Sequence, residues 1–511
     1  MRSKCSANPP RKIRWLIFLG LAGLALAVRL PQLGDRPMHT DESVNAYLTG
    51  QLLAGEKYHY DPQDRHGPVL YLLAKPVAQL CGAKKFSELT ESELRLTPVI
   101  VGSAIILLFG AGVEMFGFIP CLVAALLFAF APLPVYYSRY FIHETLFAAA
   151  TFGLILSAGR ALKTNSLVSA TLAGLCAALM LAGKETALIH FFALGAAGLA
   201  GWLVSSRKKI PAAKVLATGS LVFVTTVVLL FTWGGQNWPA LADLFHAIPR
   251  FAARAGGEGH EKPFWYYIFL LAGGWSGMVL LTLSSCGLAR VLWKGEPPGG
   301  AAGETVGGGL RGDLPHRLML AVYTLVIFAI YCVIPYKTPW LALNFWLPLA
   351  MFTGIAIEWL WLATQKISGR VLILVFIGAL GFLIAHDTRK YVFKIPADEI
   401  NPYAYANTGG DLLRLPPRME RLAAEKNLAQ PRIAVVAADA WPLPWYLRKF
   451  SHVGFWQPGQ DPGAADFYIT TPQIAEQMQA RLENWRPELF GARPGVLLIL
   501  WTPPEISPKN E

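Results

Sequence analysis

The chain has 511 residues, 54% of them hydrophobic and only 15% charged, which is more apolar surface than a soluble domain buries and points to lipid as its solvent. Its net charge of +12 does not mark a nucleic-acid partner, because Lys and Arg punctuate hydrophobic runs instead of gathering on one face. Cys5, Cys81, Cys121, Cys176, Cys286 and Cys332 show neither a metal-ligand spacing nor a disulfide framework, and they read as packing residues.

A bilayer core about 30 Å thick needs about 20 apolar residues in a helix. In chain order the runs that meet this are Ile13–Leu30, Thr97–Val113, Ile119–Tyr137, Thr145–Ala161, Leu167–Gly183, Ala187–Val204, Lys214–Trp233, Trp265–Ala289, Leu318–Pro335, Trp340–Ala363 and Val371–His386. They predict a polytopic α-helical membrane protein with about eleven spans. Arg2, Lys4, Arg11, Lys12 and Arg14 precede or open the first run, which reads as an uncleaved anchor with a cytoplasmic N-terminus rather than as a signal peptide.

Alternation of spans then places four further basic clusters on the cytoplasmic side. These are Arg160 with Lys163; Arg207, Lys208, Lys209 and Lys214; Arg290, Lys294, Arg311 and Arg317; and Lys366 with Arg370. Only the turn after Val113 lacks basic residues. Val69–Cys81 is apolar but interrupted by Lys75-Pro76, and it is expected to lie at the interface. Gly295–Gly312 reads as a flexible cytoplasmic loop.

The last 125 residues hold 14 Lys plus Arg and 14 Asp plus Glu, a balance that marks a soluble domain. Arg432–Ala438, Asp466–Thr471 and Gly495–Trp501 read as strands, with helices starting at Pro442 and spanning Pro472–Asn484. The expected organisation is a transmembrane domain over 1–386, its first external loop at 31–96, and an external α/β domain over 387–511.

The external connections are short and rich in ionisable groups. They carry His39-Thr40-Asp41-Glu42, Arg65-His66-Gly67-Pro68, Ser138-Arg139 with His143-Glu144, Lys184-Glu185 and Tyr336-Lys337-Thr338. Each alone reads as an interfacial anchor. As a set they suit an anionic substrate. A phosphate leaving group needs fixed cations, here Arg139, Lys184 and Lys337, and an attacking hydroxyl needs a carboxylate base. The bland alternative for Asp41 is a helix N-cap, because a helix is expected over Ser43–Ala54.

These residues, with Tyr58-His59-Tyr60-Asp61-Pro62, Lys337-Thr338-Pro339-Trp340 and Trp441-Pro442-Leu443-Pro444-Trp445-Tyr446, resemble the GT-C superfamily of polyprenyl-phosphate-sugar-dependent glycosyltransferases. The likeness is in particular to a prokaryotic subgroup related to protein mannosyltransferases and associated with flippase activity. It implies a GT-C-like membrane domain and an inverting glycosyltransferase that moves a hexosyl or pentosyl group from a lipid-linked donor to an external acceptor. That acceptor is a protein, lipid or glycan.

By the resemblance Asp41 is the general base, Glu42 completes the acidic pair, and Glu144 stands at the position of a second acidic residue. His39, His66, His143, Glu144 and Glu185 are the candidate substrate contacts; His66 and His143 would bind substrate or orient a carboxylate, the bland alternative being plain surface groups. The superfamily's divalent metal, where relatives use one, would bridge Asp41 and Glu144. No dense ligand cluster in the sequence demands it. The competing class is a transporter or a flippase-associated subunit for lipid-linked sugars. Transporters place ionisable residues near mid-membrane in paired repeats, whereas here they sit at span ends without a repeat.

The expected location is the cell membrane, with the C-terminal domain periplasmic or otherwise external. Reporters fused after Arg207 and Gly300 should therefore be cytoplasmic, and those after Tyr60 and Asn407 external. An external signal at Gly300 would overturn this topology.

Overall fold

The structure is a computed structural model that describes residues 9–63, 65–204, 212–257, 259–293 and 314–504. Arg2, Lys4, Cys5, Arg207, Lys208, Lys209, Lys294, Arg311 and the stretch 295–312 lie outside the described residues.

The helices in chain order are α1 (Arg11–Arg29), α2 (Thr40–Leu53), α3 (Val69–Leu80), α4 (Glu91–Phe116), α5 (Phe118–Phe130), α6 (Pro132–Tyr137), α7 (Glu144–Thr164), α8 (Leu167–Leu181) and α9 (Ala187–Val204). They continue with α10 (Ala213–Phe231), α11 (Ala240–Ala255), α12 (Tyr266–Leu271), α13 (Gly274–Leu292), α14 (Leu314–Val333), α15 (Leu343–Ala363) and α16 (Ile367–Thr388). The C-terminal region adds α17 (Leu415–Glu425), α18 (Leu443–Tyr446), α19 (Pro472–Gln477) and α20 (Gln479–Leu482).

Every predicted run is helical. Seven helical segments among the described residues are long and apolar enough to cross a membrane, and the protein is a multi-pass membrane protein. Shorter apolar helices occupy 118–130, 167–181 and 187–203, and also 69–80, the segment expected at the interface. Two runs are broken: residues 119–137 divide at Ala131, before Pro132 and Pro134, and residues 265–289 divide at Ala272-Gly273.

Contacts group the chain into two units, one comprising residues through Pro31, Lys57–Leu73 and Arg95–Pro396, the other Gln32–Glu56, Ala74–Leu94 and Ala397 onward. The loop segments 32–56 and 74–94 thus belong with the C-terminal chain.

In the first unit, small residues let helices touch backbone to backbone, which compensates for the missing hydrophobic drive between helices in lipid. A Cβ on Gly287 of α13 would lie 1.9 Å from the Phe352 carbonyl oxygen of α15, and one on Gly354 of α15 would meet Pro120 of α5 at 2.6 Å. Asn165, left-handed at φ 52°, closes α7, and Ser166 then caps α8 by accepting from the Ser169 amide.

The second unit contains a five-stranded mixed sheet of β1 (Arg432–Val436), β2 (His452–Trp456), β3 (Phe467–Thr470), β4 (Arg486–Arg493) and β5 (Val496–Thr502). The strand order is β2-β1-β3-β5-β4. β1 runs parallel to β2 and β3, with Ile433 opposite Val453 and Phe467; β5 is antiparallel to β3 and β4. β1, β3 and β5 match the predicted strands, whereas β2 and β4 are additions.

α2 is held in this unit by the C-terminal chain. The Tyr446 hydroxyl accepts from the Met38 amide at 2.9 Å, the Trp445 indole donates to Glu91 at 2.8 Å, and Thr408 donates to the Met38 carbonyl at 2.6 Å.

Gly287→Val should lower thermal stability in detergent by roughly 1–3 kcal/mol, the usual cost of forcing volume into a packed contact. An unchanged melting temperature would show that α13 and α15 do not pack as described.

Candidate active site

In the first unit the segment before α3 is drawn against the turn between α8 and α9. Gly67 lets it pass, since a Cβ there would lie 2.2 Å from the Ala182 carbonyl oxygen, and the Val69 amide donates to that same oxygen at 3.3 Å. The Tyr58 hydroxyl contacts the His66 carbonyl oxygen. This places the His66 imidazole against Glu185.

His66 Nδ1 lies 2.7 Å from Glu185 Oε2, and the Tyr60 hydroxyl donates to Oε1 at 2.8 Å. Burial opposes ionisation of Glu185, but His66, by charge and hydrogen bond, and the Tyr60 hydroxyl outweigh it and hold the carboxyl down at about 2. An ionised carboxylate is acceptor-only, so His66 carries its proton on Nδ1 and turns Nε2 away. The side chain is about 30% exposed.

His143 stands edge-on to His66, with ring centroids 5.1 Å apart, and to Tyr71 at 5.6 Å. It is buried, and burial, with the charges of His66 and Lys184, pushes its pKa well down. Lys184 makes a close ion pair with Glu144 at the start of α7. His143 also lines an apolar cavity of about 240 Å³, whose other walls include Leu70, Leu146, Phe147, Leu179 and Gly183.

The structure therefore brings His66, His143, Glu144, Lys184 and Glu185 into one cluster. Arg139 and Lys337 are held by other parts of the same unit. Arg139 donates to the Pro31 carbonyl at 2.7 Å and lies over the Phe393 ring at 4.6 Å. Lys337 Nζ donates to the Lys262 carbonyl at 3.2 Å and to that of Ile334, and burial lowers its pKa. Each cation is thus partly committed to closing its own loop.

In the second unit, His39 and not Asp41 is the N-cap of α2. Its Nδ1 accepts from the Asp41 amide at 3.0 Å, and Glu42 accepts back from the His39 amide at 3.1 Å, completing a capping box. Glu42 is fully buried and also pairs with Arg36 at 3.1 Å. The His39 Nε2–H donates to the Tyr405 carbonyl at 3.0 Å. With the cap supplied by its neighbours, the Asp41 carboxylate makes, among the described residues, only a loose 3.9 Å contact with His39, and its side chain is 48% exposed.

Tyr60 and Arg36 were not singled out in the sequence as site residues. Tyr60 lies in the aromatic stretch that carried the resemblance, and Arg36 carries no local signal.

Among the described residues no group of three or more His, Cys, Asp and Glu side chains converges where a metal ion would sit. Glu144, at the position where the resemblance allows a metal bridged with Asp41, pairs with Lys184.

No family model matches the sequence, and no curated protein does. Among solved structures, the crystal structure of ArnT from Cupriavidus metallidurans bound to undecaprenyl phosphate superimposes with TM-score 0.62 at 12% identity, over 94% of this chain and 97% of that one. The oligosaccharyltransferase AglB from Archaeoglobus fulgidus, in complex with an inhibitory peptide and a dolichol-phosphate, gives 0.58 at 11% identity, over 98% and 75%. The mycobacterial arabinofuranosyltransferase AftD gives 0.51 at 13% identity, over 98% and 40%. The chain has the GT-C fold. At these identities the GT-C likeness is one of architecture, and the roles of individual side chains rest on the geometry above.

Because the folded-state pKa of Glu185 lies below its ordinary 4.5, its contribution to stability is complete above pH 4.5 and lost as pH falls toward about 2. Glu185→Gln should remove that part of the acid sensitivity, on the order of 1–3 kcal/mol, so its melting temperature falls less steeply below pH 4.5 than the wild type's. Parallel slopes would show that the His66–Glu185 pair is not formed.

Proposed function

We propose that the protein is a membrane glycosyltransferase that transfers a sugar from a polyprenyl-phosphate donor to an acceptor on the external face, with inversion. The fold supports glycosyl transfer, since each superimposed structure described above is a GT-C protein, and two of them carry lipid phosphates by name. The observation that carries the catalytic assignment is the capping box of α2. His39 and Glu42 do the structural work, and the carboxylate between them is left uncommitted.

In this reading Asp41 accepts the proton of the acceptor hydroxyl as its oxygen bonds to the anomeric carbon. The bond from that carbon to the phosphate oxygen breaks, and the phosphate leaves with the electron pair. Positioned base catalysis of this kind is typically worth about 10² to 10⁴ in rate.

The lipid-linked donor suits the first unit, where His143 is shared between the polar cluster and the lining of an apolar cavity. A phosphate at the cluster and part of an isoprenoid chain in the cavity would match both surfaces. His66 Nε2, oriented by Glu185, is the group best placed to meet phosphate oxygens. Lys184 balances Glu144, while Lys337 retains one N–H beyond its two carbonyl contacts.

Incubation of purified protein with a panel of polyprenyl-phosphate sugars should release polyprenyl phosphate from at least one of them. Asp41→Asn should insert and fold normally, because Asp41 does not cap α2, and should still bind donor while losing about 10² to 10⁴ in turnover. Full turnover in the folded variant would defeat the mechanism.

A further inference from the structure

A second apolar hollow lies away from the cluster, between α1, α5, α15 and α16, where the helices that wall the first cavity are not involved. Its volume is about 500 Å³, within the roughly 300–1,000 Å³ of ordinary ligand pockets. Val28, Leu127, Phe130, Ile357 and Ile384 contribute apolar wall, and Thr388 and Arg389 stand at one end. Gly381 opens it: a Cβ there would meet nothing within 4 Å. Only 11% of the apolar window of α16 is buried within the protein, and Ile377, Gly381 and Ala385, which line the hollow, are exposed, so the hollow opens along the lipid-facing side of α16.

The chain at its polar end is unusual for its place. Arg389, Lys390 and Lys394 follow the last span within a single π-helical segment, Arg389–Lys394, and Arg389 and Lys394 are exposed. On the topology read from the basic connections, these three cations fall on the external side, where Lys and Arg are ordinarily depleted. Exposed basic groups such as Arg389 and Lys394, at the interface beside an apolar hollow, offer a site for an anionic headgroup. In hydrocarbon an apolar hollow gives no preference for one lipid tail over another, so any selectivity must come from this cationic end.

We propose that the hollow between α1, α5, α15 and α16 is a binding site for an anionic bilayer phospholipid. One acyl chain lies along Gly381 and Ile384, and its phosphate sits among Arg389, Lys390 and Lys394. The abundance of phospholipid on the outward face of α16 favours it over the scarcer sugar donor. The site is independent of the transfer reaction: it stands if the enzyme reading fails, and the enzyme reading stands without it.

The test uses the full chain in nanodiscs of phosphatidylcholine with increasing phosphatidylglycerol, followed by native mass spectrometry of the lipid retained. Wild type should keep one phosphatidylglycerol in preference to phosphatidylcholine. Each of Arg389→Gln, Lys390→Gln and Lys394→Gln should weaken that preference about fivefold, the usual worth of one interfacial cation at an anionic surface. Gly381→Leu, which fills the hollow from an unobstructed position, should abolish retention of either lipid, with monodispersity and helicity checking its fold. If Gly381→Leu does not fold, the three Gln variants decide alone. Equal retention of the two lipids by wild type, undiminished preference in all three Gln variants, or displacement of phosphatidylglycerol by equimolar undecaprenyl phosphate would each overturn the proposal.

Discussion

Pro132 and Pro134 end α5 inside an apolar bundle, where no water can satisfy the carbonyl groups that a broken helix exposes. Proline has no N–H, so the Phe128 and Phe130 oxygens lose their regular donors. Leu127 keeps its regular donor, and the structure supplies substitutes for the other three carbonyls of the last turn. The Ala131 amide reaches Leu127 at 2.8 Å, Arg29 reaches Phe128 at 2.7 Å and Ala129 at 3.1 Å, and the Thr388 hydroxyl reaches Phe130 at 2.6 Å. Arg29 also donates to Ser138 at 2.6 Å. One fully buried arginine on α1 thereby joins the two halves of a broken span, and Thr388 ties the end of α16 to the same break.

The device recurs and changes how the basic residues are understood. Arg317 donates twice to the Phe116 carbonyl at the end of α4, at 3.1 and 2.7 Å, and pairs with Glu358 at 2.9 Å. Lys337 does similar work beyond α14 through Ile334 and Lys262. A charge in hydrocarbon is costly unless paired or hydrogen-bonded, and a helix end in hydrocarbon is costly unless capped. Placing a cation at a helix C-terminus relieves both at once, with the macrodipole adding to the attraction. A basic residue at a span end is therefore not by itself a sign of an anionic substrate. His66 has the stronger claim, because its partner Glu185 orients the ring without using Nε2.

The spans were legible in the sequence because lipid imposes one requirement, about 20 apolar residues, that needs no knowledge of neighbours. The central strands β1 and β3 were legible for a similar reason, being almost wholly buried runs. β2 and β4 were not, and they are the two edges of the sheet. Edge strands carry mixed residues, His452 and Gly454 in one, Arg486 and Pro487 in the other, and show no apolar run to detect. The site divides in the same way. Its residue types could be picked out, but the pairing of His66 with Glu185 joins positions 119 apart in sequence. The anchoring of His39 on Tyr405 spans 366, and no local pattern reports such contacts.

That long-range anchor decides which residue caps α2. Asp is among the commonest N-caps and His is not, so local preference pointed to Asp41. A histidine can accept from an amide only when neutral with its proton on the far nitrogen, and the Tyr405 carbonyl selects that tautomer by taking the Nε2–H. Burial reinforces the choice by lowering the His39 pKa, against the opposing pull of Asp41 and Glu42. Its folded-state pKa lies below the ordinary 6.5, so the cap's contribution is complete above pH 6.5 and declines as pH falls below it. The exposure of the Asp41 carboxylate is thus conditional on a neutral imidazole two residues away. A chain that used Asp41 itself to start the helix would have no free carboxylate to offer.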